Sequence, residues 1–303
     1  MLELTRARGE WHLGYAGDTF NTALYLSRLG VPTAYFTALG TDPFSQEMLA
    51  EWRADGLDTS LVLTSTTRLP GLYAVHNDAH GERHFYYWRE HAAVRELFEL
   101  PGIELALEQV RSAPQLYLSA ITLSLFNPAG RARLHELAAA VRASHGEVIF
   151  DPNYRARGWA SPEEARAAIR ALAPTVTIAM PTFSDEAAVF GDASPAQTVV
   201  RWREWGATQV IVKLGAEGCL VSCPSGTQRV PAVPVAEVID TTGAGDAFNA
   251  GFLAARRAGH SAAQAAAAAH RLAALVIQHR GAILPRERSA ELRACVFGAV
   301  SAP

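Results

Sequence analysis

The chain is short of lysine, cysteine and methionine, and each shortage narrows its role. One lysine, Lys213, stands among 27 basic residues, so nearly every strong cation is a guanidinium. Acidic and basic residues almost balance, at 30 and 27, for a formal charge of −3. Neither sign is in excess, so no nucleic-acid partner is expected. The three cysteines, Cys219, Cys223 and Cys295, fit neither a metal-ligand spacing nor a disulfide framework. They read as reduced and structural, in a cytoplasmic protein. No apolar run approaches the roughly 20 residues that span a bilayer, so no membrane partner is expected. No basic stretch followed by an apolar one opens the chain, and no secretory leader is expected. A GxxxxGK[ST] phosphate loop is absent, as is any Ser-His-Asp set or metal-ligand cluster. His76, His80 and His84 lie four apart, but a polar turn at His80 and Gly81 interrupts them, so they are not expected to hold a metal.

What is present is 303 residues, 49% hydrophobic, enough for one large α/β domain with a small appendage or for two modest domains. Strands are expected over 33–39, 115–119, 147–150, 176–180, 209–214 and 219–222. Helices open near Asp18, Pro43, Asn127, Ser161 and Ser194, where capping side chains or an early proline stand at the start. Such alternation predicts a mostly parallel sheet covered by helices on both faces, with ligands at the carboxyl ends of the strands. Residues 2–4 read as the tail of a strand. Residues 62–89 differ, being short β-prone runs about a polar turn, and predict a hairpin set between α/β segments.

The richest stretch is Asp240-Thr241-Thr242-Gly243-Ala244-Gly245-Asp246-Ala247-Phe248. An apolar run over 233–239 reads as a strand before it, and a small-residue helix follows. A glycine-rich strand-to-helix junction aims backbone N–H groups and the helix dipole at one point, which suits phosphate. Asp246 in the first turn can take a proton from an attacking hydroxyl while those N–H groups hold the charge on phosphate. The plain alternative is a glycine turn capped by an aspartate.

Four further clusters fall at strand ends. Gly17-Asp18-Thr19-Phe20-Asn21 opens a helix, leaving Asp18 and Asn21 to bind hydroxyls. Tyr87 and Arg89 share a strand face, and an inward arginine calls for an anion, best a carboxylate. Asp151-Pro152-Asn153-Tyr154-Arg155 follows a strand, and Arg155 can reach both a sugar acid and a nucleotide phosphate. Lys213-Leu214-Gly215-Ala216-Glu217-Gly218 joins two apolar strands. A surface arginine, a polar loop, a cap at Asp151 and a plain hairpin are the competing readings.

The Gly-Ala-Gly-Asp junction resembles the signature of the ribokinase-like (PfkB) carbohydrate kinases. Arg68-Leu69-Pro70-Gly71-Leu72-Tyr73, the run from Gly81 to Arg89, residues 151–155 and Arg280-Gly281-Ala282-Ile283 extend the resemblance over about residues 2–288. They draw it toward the members that act on a sugar acid. The resemblance implies a three-layer α/β/α fold with a mostly parallel central sheet, one domain over 1–303, and a small β lid from about 5–16 and 62–92. It implies transfer of the ATP γ-phosphate to the terminal hydroxyl of 2-dehydro-3-deoxy-D-gluconate, with Mg²⁺. By the same resemblance Gly17, Asp18, Asn21, Tyr87, Arg89 and Arg155 bind the acceptor, together with the base Asp246. Asn153, Arg155, Lys213, Gly215, Ala216, Gly218, Gly243, Ala244 and Gly245 bind ATP. Thr182 and Asp185 stand where many members carry Asn and Glu that act on Mg²⁺ through water. Lid strands often pair in this family, which implies a homo-oligomer through the lid. Members open with a full strand and a Gly-Glu turn ahead of the segment matching Leu2-Glu3-Leu4. The resemblance therefore implies that Met1 falls at the end of that element. Two alternatives stay open: a kinase of the family for another sugar, sugar acid or nucleoside, and a non-catalytic sensor of sugar or nucleotide.

Overall fold

A computed structural model describes residues 1–7, 9–77 and 83–298. In chain order the elements are β1 (Leu2–Ala7), β2 (Glu10–Tyr15), α1 (Asp18–Arg28), β3 (Thr37–Leu39), α2 (Pro43–Ala54), β4 (Val62–Thr64), β5 (Leu72–Asn77) and β6 (Arg83–Trp88). Then come α3 (Ile103–Arg111), β7 (Gln115–Ser119), α4 (Ala120–Leu125), α5 (Pro128–Ala143), β8 (Glu147–Asp151), α6 (Pro162–Leu172), β9 (Ile178–Ala179), α7 (Phe183–Phe190) and α8 (Pro195–Glu204). The chain continues through β10 (Gln209–Lys213), β11 (Cys219–Cys223), β12 (Gly226–Val230), α9 (Ala244–Arg257), α10 (Ala262–Val276) and α11 (Ser289–Phe297).

The helix starts follow their chemistry. Asp42, Asn127, Ser161 and Ser194 each accept a backbone N–H in the first turn, and each is followed by proline at the first helical position. Strands β12-β11-β10-β9-β8-β7 form a six-stranded sheet in that order. Pairs from β7 to β10 are parallel, and β10-β11-β12 are antiparallel. Alternate residues of each strand feed opposite faces. Val148 and Phe150 of β8 pack with α3, α5, α6 and α8, while Ile149 packs with α9, α10 and α11. Two buried cores on either side of one sheet make three layers, α/β/α. Among the described residues no helix is long and apolar enough to cross a membrane.

A second sheet stands apart, ordered β2-β1-β5-β6. Its register places Leu4 opposite Leu13, Arg6 opposite Trp11, Ala74 opposite Tyr86 and Leu72 opposite Trp88. These residues share one face. Glu3, Tyr73, Phe85 and Tyr87 share the other, where the Tyr73, Phe85 and Tyr87 rings stack within 6.4 Å of one another.

Four segments differ from the sequence reading. Residues 233–239 form no strand. Pro231 and Pro234 donate no backbone hydrogen bond, Val238 and Ile239 are exposed, and the Ile239 N–H goes instead to Ile277 O. Residues 2–4 belong to a full strand of the smaller sheet. Only Thr37–Leu39 of the 33–39 run is strand, and it pairs with β4. Val62–Thr64 is therefore bound to β3 and not to the sheet that holds β5 and β6. The turn expected at His80 and Gly81 lies outside the described residues.

Candidate active site

The glycine junction closes into a turn that only glycine fits. Gly243 has φ +75°, and a Cβ there would stand 2.7 Å from Ala282 O. The partner segment is fixed from behind. Tyr25 donates to Ala282 O at 2.8 Å, and Asp240 accepts from both Thr242 N and Gly281 N at 2.7 Å. No side chain caps α9. The Ala244 N–H donates to Thr241 O at 3.2 Å. The N–H groups of Gly245 and Asp246 are left at the positive end of the helix.

Asp246 is buried in the first turn of α9, and Asn21 of α1 donates to its carboxylate at 2.7 Å. Burial, then the charges of Asp18 and Asp151, push its carboxyl up to about 8, against Asn21 and Lys213. Asn21 also accepts from Gly17 N at 3.2 Å, so the opening of α1 and the opening of α9 are tied by one side chain. Gly17 is extended, and a Cβ would have room beside Phe20. The chain itself does not demand glycine there, and close approach of a ligand is the remaining reason. Asp18 accepts from Asn153 at 3.3 Å, and burial raises its carboxyl above the ordinary range.

The loop after β8 is held by an Asx turn, Asn153 N to Asp151 Oδ1 at 3.1 Å, with Asn153 at φ +29°. Arg155 reaches Asp185 at 3.5 Å and stays half exposed. Arg89 comes down from the smaller sheet, its guanidinium 4.6 Å over the Tyr87 ring. A Cβ on Gly158 would be 3.6 Å from Arg89 Nη2, so this arginine meets the segment after Arg155. Arg157 donates to Phe85 O at 3.1 Å, a second tie between sheet and body.

Lys213 is turned inward. It donates to Asp151 Oδ2 at 2.7 Å and to Asn249 Oδ1 at 3.3 Å, and it is 8% exposed. Asn249 in turn donates to Asp151 at 2.6 Å and to Tyr117 Oη at 2.8 Å. Gly215 and Gly218 of the following loop both take positive φ, and a Cβ on Gly218 would overlap Val230 O. Ala216 sits between them in a 3₁₀ turn.

Asp246, Asn21, Gly17, Asp18 and Asn153 thus form one connected set, with Arg155 on the loop that carries Asn153 and Arg89 against Gly158 of the segment after it. Sequence reasoning missed Asn249 and Tyr117. Asn249 had a signal, three residues after Asp246 on the same helix face. Tyr117 had none beyond a polar tip in an apolar strand. Among the described residues no group of three or more His, Cys, Asp or Glu could hold a metal ion. His76 and His84 pair across β5 and β6, while His80 lies outside the described residues.

Comparison with known proteins matches residues 3–289 to the pattern described as "pfkB family carbohydrate kinase". The chain is 44% identical over 294 residues, 95% of each chain, to the 2-dehydro-3-deoxygluconokinase of Dickeya dadantii (strain 3937). A PfkB protein from Polaromonas sp. JS666 superposes with a TM-score of 0.82 at 28% identity, covering 97% of this chain and 96% of that one. An Escherichia coli structure described as a putative ribokinase II in complex with ATP and Mg²⁺ superposes with a TM-score of 0.81 at 24% identity, covering 93% and 91%. The turn around Gly243, the buried carboxylate beside it and the three-layer fold therefore have one common explanation: the chain belongs to the pfkB family of carbohydrate kinases.

Proposed function

We propose that the protein transfers the γ-phosphate of ATP to the terminal hydroxyl of 2-dehydro-3-deoxy-D-gluconate, giving the 6-phosphate. The observation that carries this reading is the buried Asp246 carboxylate at the start of α9, hydrogen-bonded by Asn21 beside the Gly243 turn, and Arg89 and Arg155 are the cations proposed for the carboxylate end. It is supported by the 44% identity to a 2-dehydro-3-deoxygluconokinase. A carboxylate suits the planar forks of those arginines, whereas a neutral sugar brings them no opposite charge.

In this reading the sugar acid lies under the smaller sheet, which acts as a lid. Tyr87 packs on it, and Arg89 and Arg155 hold its carboxylate end. Asp18, Asn21 and the extended backbone at Gly17 bind hydroxyls. The lid shields the site from water, so that ATP is not spent on hydrolysis. Asp246 accepts the proton of the terminal hydroxyl as its oxygen attacks phosphorus in line. The Gly245 and Asp246 N–H groups hold the charge on the transferring oxygens. ATP lies along Asn153, Arg155, the 214–218 segment of the loop after β10 and the 243–245 turn.

Mg²⁺ neutralises phosphate charge when it enters with ATP. Asp185, at the start of α7 beside Thr182 and in contact with Arg155, would act on Mg²⁺ through a bound water.

The outer face of the lid exposes Trp11, Leu13, Tyr86 and Trp88. A contiguous apolar sheet face of this kind favours pairing with a second copy. The three free cysteines accord with a reducing, cytoplasmic setting. The test of the whole reading is ADP formation with 2-dehydro-3-deoxy-D-gluconate, ribose and fructose as acceptors. Turnover is expected with the sugar acid and little with the other two. A preference for a neutral sugar would contradict it, and ligand binding without ADP release would favour a sensor.

A further inference from the structure

The one lysine of the chain is turned into the protein, in contact with the Asp151 carboxylate and largely out of solvent. Its ammonium is held by Asp151 and Asn249, and Asn249 is braced by the Tyr117 hydroxyl. A Cβ on Gly245 would be 3.7 Å from Lys213 Nζ, so the ammonium stands directly behind the glycine turn. Resting on the kinase reading above, we propose that Lys213 is a positioning residue. Its buried ammonium offsets the carboxylate cluster around Asp246 and keeps that base usable, and it does not bind nucleotide.

Charges that act on Asp246 come from three elements. Asp18 faces it from α1, Asp151 from β8 and Lys213 from β10. Tyr25 of α1, Tyr73 of the lid and Tyr117 of β7 also lie within its field, and burial keeps all three neutral. Lys213 is the only one of these groups that carries positive charge. Without it the Asp18 and Asp246 carboxyls, both raised by burial, would resist ionisation more strongly, because each charge raises the cost of the next. Arginine is the commonest cation in this chain, yet the place between Asp151, Asn249 and the turn holds its lysine. A compact ammonium with three donors fits there. That accounts physically for a lysine at this place.

Two measurements test the proposal. The first compares Lys213→Gln with the wild type in kcat/KM against pH. The rising limb is expected to move up by about one pH unit, the lower end for loss of a nearby opposite charge. KM for MgATP is expected to change less than about threefold, and Lys213→Arg to restore part of the limb. A KM for MgATP raised more than tenfold with an unmoved limb would overturn the proposal in favour of nucleotide binding. Equal thermal losses in both variants with an unmoved limb would overturn it in favour of a purely structural role.

The second measurement uses the native sequence and stands even if Lys213→Gln does not fold. Protein labelled with ¹⁵N-lysine carries a single Nζ resonance. Its shift is expected to step at the midpoint of the kcat/KM limb, and the step to vanish in Asp246→Asn. A resonance flat from pH 5.5 to 9.5, or a step that survives Asp246→Asn, would refute the coupling. This readout needs no acceptor. Absence of turnover with every sugar would refute the kinase reading and leave the coupling of Lys213 to Asp246 measurable.

Discussion

Asp246 combines two demands that oppose each other. A base must be ionised, yet burial and two neighbouring carboxylates hold its carboxyl at about 8. An aspartate in the unfolded chain titrates near 4. A folded value above the unfolded one means that the native state binds a proton that the unfolded state has lost. Stability is then fully present below the unfolded value and falls as pH rises toward 8. Asp246→Asn, neutral at every pH, is expected to match the wild type in melting temperature near pH 4 and to exceed it at pH 8. A pH-independent difference would contradict this. For the same reason kcat/KM of the wild type should climb through neutrality with a midpoint near 8, since it reports the free enzyme. Arg89 yields a separate prediction. Its loss in Arg89→Ala should cost the sugar acid about 10–100-fold in kcat/KM, the worth of a charged hydrogen bond, with little effect on a neutral acceptor. Equal losses on both acceptors would remove it from carboxylate recognition.

At the scale of elements, α9 does most to hold the site. It is buried from Asp246 to Ala255 and is built of small residues so that α10 can lie close. A Cβ on Gly251 would be 3.1 Å from Ala269 Cα, at the backbone itself. Gly251→Val is expected to destabilise by about 1–3 kcal/mol, the usual cost of overpacking, in a denaturant titration. An unchanged midpoint would mean that α10 can shift. The lid makes its own prediction. Trp88, 61% exposed beside Tyr86 on the outer face, should support self-association. Trp88→Glu should lower the sedimentation coefficient if copies pair there, and an unchanged coefficient would count against pairing through this face. Elements with clear caps and alternation could be read from sequence, as in α2, α5, α6, α8 and β7. The 233–239 run could not. Its apolar residues look like a strand, but Pro234 within it and Pro231 just before it remove ladder donors, and the sheet gains β12 instead. The strand at 2–4 was legible, but its extent to Ala7 and its place in the smaller sheet were not, because three residues do not say which sheet they join.

Over the whole molecule, the site is assembled from distant parts of the chain. Asn21, Asn153, Lys213 and Asp246 come from α1, the loop after β8, the end of β10 and the start of α9. The glycine junction and the arginines were legible because their chemistry is local to a few residues. The contact of Lys213 with Asp151, 62 positions apart, was not, because sequence shows a lysine in a glycine-bounded loop and not which way it turns. The account's central claim is that Asp246 deprotonates the sugar-acid hydroxyl. The most direct test is the initial rate of ADP formation with 2-dehydro-3-deoxy-D-gluconate in the wild type and in folded Asp246→Asn. A positioned base is worth about 10²–10⁴-fold, so the variant should lose turnover in that range with its KM values largely kept. Turnover within a few-fold of the wild type would contradict the claim.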